Sequence, residues 1–476
     1  MKKQQLLAAI LSTCVSAAVS AATGDETNHA LARDIFKQLV EIDTSIAGGR
    51  GSTPAAKAMA ERFRAAGFSP DDVQVLGPDE RKKNLVVRLR GNGKRKPVLL
   101  IGHLDVVDAR REDWSTDPFK LIEKDGFFYG RGTQDMKDGV AIMVTTLLRL
   151  RKENYRPDRD IVLALTADEE SGGANGAEWL LKNRRDLVDA EFVLNHDGPG
   201  VILEKGKPVR IEVTASEKVY ADYQLSAKNP GGHSSVPRPD NAIYTLATGL
   251  RRLAAYEFPF ELNNVTRASF EQRLKSATGQ QARDLRGLLQ IPPDPAAIKR
   301  LSADPSDKAT VRTTCVATRL DGGHANNALP QMARATVNCR ILPGHSAEEV
   351  RQALSGILQN PKIDIRYINT AGKLQATAPA DKGYRPPPLR PEVTRPLEKI
   401  AARMWPGAPI ITVMSAGASD GVYTSAAGLP TYAISGSAIE HDDLRMHGQD
   451  ERIGVQAFYK AVDFYYRYLQ AVASYR

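Results

Sequence analysis

Ile161-Val162-Leu163-Ala164-Leu165-Thr166-Ala167-Asp168-Glu169-Glu170-Ser171-Gly172-Gly173 passes from an apolar run straight into adjacent acids and a glycine pair. The run reads as a buried strand. Its end delivers Glu169 and Glu170 side by side at the carboxyl edge of a sheet, where open α/β folds hold their ligands. Two close carboxylates repel, so one keeps its proton unless a cation stands between them. One Glu then suits a metal and its neighbour suits proton transfer. Taken alone, the same string also reads as an acidic turn at a strand end.

Its companions favour the metal. Val98-Leu99-Leu100-Ile101-Gly102-His103-Leu104-Asp105 is a second apolar strand, ending in His-x-Asp. Tyr129-Gly130-Arg131-Gly132-Thr133-Gln134-Asp135-Met136-Lys137 is a Gly-rich turn that brings an Asp to a helix start. Phe192-Val193-Leu194-Asn195-His196-Asp197-Gly198 is a third strand with an acid at its end, and Met446-His447-Gly448 supplies another His. A nitrogen-and-oxygen set without Cys suits zinc, manganese or cobalt in a catalytic site.

At 476 residues the chain is too long for one ordinary core, and two domains are expected. An apolar content of 42% and a mean hydropathy of −0.35 describe a soluble globular protein. The net charge of +9 is spread without a dense basic run or aromatic interleaving, which gives no reason to expect nucleic acid. Lys2-Lys3, the apolar stretch from Leu6 to Val19 and Val19-Ser20-Ala21 form a leader over residues 1–21, predicting export to a periplasm or the medium. That stretch is shorter than the ~20 residues of a spanning helix, so no membrane span is expected. Cys14 leaves with the leader. Cys315 and Cys339 lie on two strand-like runs that could pair; a disulfide and two buried thiols both fit.

Helical spacing at Leu31, Ile35 and Leu39 predicts a first helix, and Thr53-Pro54 predicts another, with Thr53 as N-cap and Gly67 as its stop. Gly91-Asn92-Gly93, between two strands, reads as a hairpin turn. Helices alternating with apolar strands predict an α/β fold on a mixed, mainly parallel sheet covered on both faces. From Tyr220 the pattern changes to strands and helices in β-α-β-β-α-β order, interrupted by a polar helical insertion over Glu257 to Lys308. The expected division is a catalytic domain over 22–216 and 381–476, with an α+β lid domain over 217–380 inserted in it.

These strings together resemble the di-zinc metallopeptidase family of aminoacylases, carnosinases, succinyl-diaminopimelate desuccinylases and glutamate carboxypeptidases. Gly102-His103-Leu104-Asp105, Gly130 to Lys137 and Asp168 to Gly172 carry the resemblance. Gly231-Gly232-His233-Ser234-Ser235, Asn327-Ala328-Leu329-Pro330, Arg340 before Leu342-Pro343-Gly344, and His447 with Glu451 extend it in family order. It implies a zinc-peptidase-like catalytic domain with an inserted lid that often dimerises. It implies two divalent ions per subunit, zinc or else manganese or cobalt. His103, Asp135, Glu170, Asp197 and His447 would be the ligands, with Asp135 bridging. Asp105 would orient His103, and Glu169 would be the general base. His233 would help stabilise the oxyanion, in dimeric relatives from the partner copy. Arg340 would grip a substrate carboxylate, and Asn327 would lie near the substrate carbonyl.

The implied activity is hydrolysis of an amide bond in a small peptide. Asp rather than Glu at position 197 tilts the resemblance toward a dipeptidase or another exopeptidase, with an N-acyl amino acid deacylase or carboxypeptidase as the rival. A non-catalytic binding protein on the same scaffold is a remoter reading, which loss of the base or a ligand would support; both are present. His196 competes with Asp197 as ligand, and His441 with His447.

Overall fold

The structure, a computed structural model, describes residues 24–474 except residue 172. The expected leader over 1–21, with Cys14, lies outside them.

The main sheet runs in the order Val73–Leu76, Asn84–Leu89, Arg159–Thr166, Arg95–His103, Phe192–Asn195, Thr431–Ala433, Lys207–Glu217, Val201–Glu204 and Ala438–Glu440. Ile410–Ser415 pairs with Lys207–Glu217 off this path. The pairings at its centre are parallel, and antiparallel strands flank them. The apolar runs are continuous because both faces are covered. Leu100, Leu163 and Leu194 pack into one core beneath the helices Gly24–Glu41, Lys137–Lys152 and Val455–Ala473. Leu99, Val162 and Val193 pack into another against Ala177 and Leu180 of the helix Gly176–Asn183. Each such fully buried side chain contributes roughly 1.5–3 kcal/mol. The helix Lys137–Lys152 approaches so closely that a Cβ on Gly139 would lie 2.3 Å from Nδ1 of His196.

A second, five-stranded antiparallel sheet runs in the order Thr314–Gly322, Met332–Ile341, Val219–Lys228, Ile363–Ile368 and Leu374–Gln375. One face is covered: Ala221, Tyr223 and Leu225 share a core with Leu246 of the helix Ala242–Ala255 and Leu354 of the helix Ala347–Leu358. Both helices start where the sequence supplies a cap, Asn241 in one and the Ser346–Glu349 capping box in the other. Cys315 and Cys339 face each other across neighbouring strands and form a disulfide. The insertion is helical, with four helices between Asn264 and Thr310 around Phe270, Leu285 and Leu288.

Two local expectations fail for physical reasons. Gly91-Asn92-Gly93 joins no hairpin, because Arg159–Thr166 lies between the strands on either side of it. Its backbone instead bonds outward, from Gly91 N to Asp160 Oδ1 (2.8 Å) and from Asn92 N to the carbonyl of Pro157 (2.9 Å). The second helix begins at Thr53, not after it, with Ser52 preceding it. Thr53 Oγ1 accepts from Lys83 N at 3.1 Å, so its hydroxyl serves a neighbouring loop.

In the first turn of the helix Lys137–Lys152, Asp138 is buried and accepts a hydrogen bond from Ser437 Oγ (3.0 Å). Burial pushes its carboxyl up to about 8. The folded state therefore keeps a proton that the unfolded chain loses near pH 4. Where the native state binds more protons, stability falls as pH rises, here from about 4 to about 8. The slope is at most ~1.4 kcal/mol per pH unit. Asp138→Asn should flatten this fall, read as urea midpoints of the metal-free protein across that range.

Candidate metal centre

Three neighbouring parallel strands end on one edge of the main sheet, and their ends carry the chemistry. His103 closes its strand opposite Thr166, and Ile101 lies opposite Asn195, two residues before Asp197. The Nδ1 of His103 donates to the backbone carbonyl of Asp105 (3.0 Å), which turns Nε2 toward Asp135 Oδ1 at 2.9 Å. The other oxygen of Asp135 lies 3.1 Å from His447 Nε2, and that nitrogen is also 3.1 Å from Glu170 Oε1. Asp197 Oδ2 stands 4.0 Å from His103 Nε2. Among the described residues three groups have ligand atoms within 4.8 Å of one another: His103, Asp135 and Asp197; Asp135, Glu170 and His447; His103, Glu169 and Glu170. Asp135 belongs to two of them, with one oxygen toward each histidine.

This donor set fits a hard divalent cation. Four carboxylates and two imidazoles converge, and without a cation their charge is met by protons. Burial opposes charge on His103, yet the Asp135 carboxylate holds its pKa well above the usual range. Hydrogen bonds to Asp135 and Glu170 push His447 up to about 10. Burial opposes ionisation of Asp135, but the bonds from both histidines hold its pKa down. Burial raises Glu169 and Asp197 well above the carboxylate range, the latter helped by the nearby Asp135 charge. A cation would displace these protons, as binding to His and carboxylate ligands does generally.

The carboxylate of Asp105 serves differently from expectation. It lies 3.9 Å from Nδ1 of His103, while its two oxygens accept the backbone N–H of Glu169 (3.1 Å) and Glu170 (3.0 Å). The backbone of Asp105 orients the histidine and its side chain holds the Glu pair. His196 turns away from the cluster. It is buried, its ring lies against Tyr465 at 5.2 Å, and burial pushes it down to about 4. The backbone N–H of His441 bonds to the carbonyl of Leu203, and the residue is in none of the metal-holding groups.

The site residues expected from outside the main sheet stand apart. His233 is exposed, and its two-residue strand pairs with Ala328–Leu329, which puts it beside Asn327, whose carbonyl accepts from Ser234 N at 3.1 Å. Among the described residues the imidazole of His233 bonds only to Ser235, and it is in none of the metal-holding groups. The Arg340 guanidinium lies 4.7 Å over the Tyr220 ring and has no carboxylate partner among the described residues.

Several supporting residues were assigned no role from the sequence. Glu451 is fully buried and takes four donors: Arg131 Nη1 (2.6 Å) and the backbone N–H groups of Gly132 (3.1 Å), Gln134 (2.7 Å) and Asp135 (3.1 Å). Arg131 Nη2 donates in turn to the carbonyl of Gly448 (3.0 Å), so one ion pair fixes both Asp135 and the loop bearing His447. Asp420 holds Thr166 and, at 2.6 Å, Asn175 Nδ2. The sequence signal was proximity in the motifs, since Glu451 and Arg131 flank the proposed ligands. Glu451→Ala leaves Arg131 charged and buried at 2% exposure. It should cost about 3–5 kcal/mol, measured by denaturant unfolding of the metal-free protein.

The chain is similar to known proteins over most of its length. The human N-fatty-acyl-amino acid synthase/hydrolase is 29% identical over 385 residues, covering 79% of this chain and 74% of that one. A probable carboxypeptidase S-like protein of Dictyostelium discoideum is 28% identical over 393 residues, covering 80% and 72%. A family M20 metallo-carboxypeptidase of Sulfolobus solfataricus shares the fold, with a TM-score of 0.69 at 17% identity over 93% of this chain and 99% of that one. Residues 99–471 match peptidase family M20/M25/M40, and the chain belongs to that family.

Proposed function

We propose that the chain hydrolyses an amide bond in a small substrate bearing a free carboxylate. In this reading His103, Asp135 and Asp197 hold one divalent ion, Asp135, Glu170 and His447 hold another, and zinc occupies both, with manganese or cobalt as alternatives. The observation that carries it is Asp135, with one oxygen on each histidine. A bound divalent cation supplies Lewis acidity, which brings the pKa of its water from 15.7 toward ~7.

The side chains do the rest. Glu169, free of its proton once a cation is bound and held by the Asp105 carboxylate through its backbone N–H, takes the proton of the attacking water. Oxygen adds to the amide carbon, the C–N bond breaks, and Glu169 returns the proton to the departing nitrogen. Asp105 keeps the Glu pair in place through its two backbone bonds. Arg340, which has no carboxylate partner of its own among the described residues, receives the substrate carboxylate as a planar fork. His233 and Asn327 act from the small two-stranded ladder of the lid, with His233 reaching a site by closure or from a partner copy in a homodimer; its exposure supports this.

Within this class we read the chain as a dipeptidase or other exopeptidase, on the strength of Asp197. Similarity to N-fatty-acyl-amino acid hydrolases over 79% of the chain favours N-acyl amino acids as the second reading. We place the lid at 217–380, supported by the separate core of the second sheet. We place the protein outside the cytoplasm, in the periplasm or medium, supported by the Cys315–Cys339 disulfide. No helix among the described residues is long and apolar enough to cross a membrane.

Purified protein assayed on dipeptides and N-acyl amino acids should lose turnover on chelation and regain it with zinc, manganese or cobalt. The panel separates the two substrate readings. Glu169→Gln should retain its metal while kcat falls about 10²–10⁴-fold. Unchanged turnover would remove Glu169 from the mechanism.

A further inference from the structure

The chain leaves the main sheet at Glu217, the last residue of Lys207–Glu217, and enters the second sheet at Val219. Glu217 is 6% exposed, and it pairs with no Lys, Arg or His among the described residues. A carboxylate buried without a cation is costly unless its oxygens are fully used. Here both oxygens are directed at one residue. Oε2 accepts from Ser419 N (2.8 Å) and Oε1 from Ser419 Oγ (2.7 Å). Ser419 Oγ accepts from Asn195 Nδ2 (2.9 Å) and Gly421 N (3.0 Å). Asn195 is fully buried, and its Oδ1 accepts from the backbone N–H of Asp197 (3.0 Å). The returning segment meets the same point. Tyr384 OH accepts from Glu217 N (2.6 Å) and donates to the Glu217 carbonyl (2.9 Å).

We infer that Glu217 is a positioning residue: through Ser419 and Asn195 it sets the backbone of Asp197, and so ties the crossing between the sheets to the group His103, Asp135 and Asp197. This rests on the reading of Asp197 as a metal ligand. The other group has separate supports, Asp105 behind Glu170 and the Arg131–Glu451 pair behind His447. Loss of Glu217 therefore acts on one group and spares the other, which a general loosening of the fold would not do.

The test is Glu217→Ala in the full chain, with two measurements. In the metal-free protein, amide exchange over 195–198 should quicken about tenfold or more, with exchange in the helix Lys137–Lys152 unchanged. In Co²⁺ titrations followed by visible absorption, Asp197→Ala and Glu170→Ala identify which transition belongs to which group. Glu217→Ala should weaken the Asp197 transition about tenfold or more, the range for residues behind a ligand, and leave the Glu170 transition in place. A folded variant with wild-type exchange and unmoved transitions overturns the proposal, as does equal weakening of both transitions. Absence of Co²⁺ uptake by the wild type overturns the ligand reading instead, and the exchange data still decide the relay. If Glu217→Ala does not fold, Ser419→Ala cuts the same relay one bond nearer Asp197 and carries the same expectations.

Discussion

Everything at the candidate centre depends on one carboxylate held between two imidazoles. Asp135 presents Oδ1 to His103 and Oδ2 to His447, residues separated by most of the chain. A carboxylate can do this only if its own backbone is fixed. Glu451 provides that by accepting the N–H of Asp135 and of Gln134 while paired to Arg131. The arrangement places negative charge beneath negative charge, which is tolerable because Glu451 is satisfied by four donors and Asp135 by two rings. The cost of gathering further acids, Glu169, Glu170 and Asp197, is what makes the centre a demand for a cation.

The same logic recurs a layer deeper. Asp168 takes Lys82 (2.6 Å) and Ser171, and so shapes the turn of the Glu pair with a left-handed backbone at φ 62°. Asp105 holds the N–H groups of Glu169 and Glu170, and Asp420 holds the end of the strand before them through Thr166. Buried acids that face backbone N–H groups fix loops more tightly than apolar packing could, since each must keep its donors or bear the cost of an unpaired charge. Much of the acid content of the motifs is therefore architecture, and a smaller part is positioned to meet a metal.

This division explains what could be read from the sequence. Continuous apolar runs at Val98, Ile161 and Phe192 identify strands covered on both faces, and the residues at their ends converge because parallel neighbours end on one edge. That placed His103, Glu169, Glu170 and Asp197 together. The Gly91 turn misled because chain proximity cannot reveal that a strand from residue 159 onward inserts between its flanks. The Asp105 carboxylate misled because His-x-Asp spacing does not say whether its backbone or its side chain meets the ring. Glu217, Ser419 and Asn195 lie far apart in sequence and share no pattern, so their relay was invisible without coordinates.

The second sheet is fastened to the first at more than its two crossings. The insertion helix Asn264–Leu274 reaches the strand Ile410–Ser415, where Gln272 Oε1 accepts from Thr412 N (2.7 Å) and Asn263 Nδ2 lies 3.1 Å from Met414 Sδ. Among the described residues the strand bearing Thr412 pairs only with Lys207–Glu217, so a side chain covers a backbone donor that an edge strand would otherwise leave open. His345 joins the insertion to the second sheet's own loop through Glu261 (2.8 Å). With the crossings held by Glu217 and Tyr384, and the insertion braced on the main sheet, the attachments lie at the base of the second sheet. His233 lies in, and Asn327 beside, a small two-stranded ladder formed by segments far apart in sequence and flanked by the bond from Asn229 N to the Gln331 carbonyl. The fold thus holds the proposed metal ligands at the edge of the main sheet, while His233 and Asn327, two of the three residues expected to act on substrate, belong to a separate ladder.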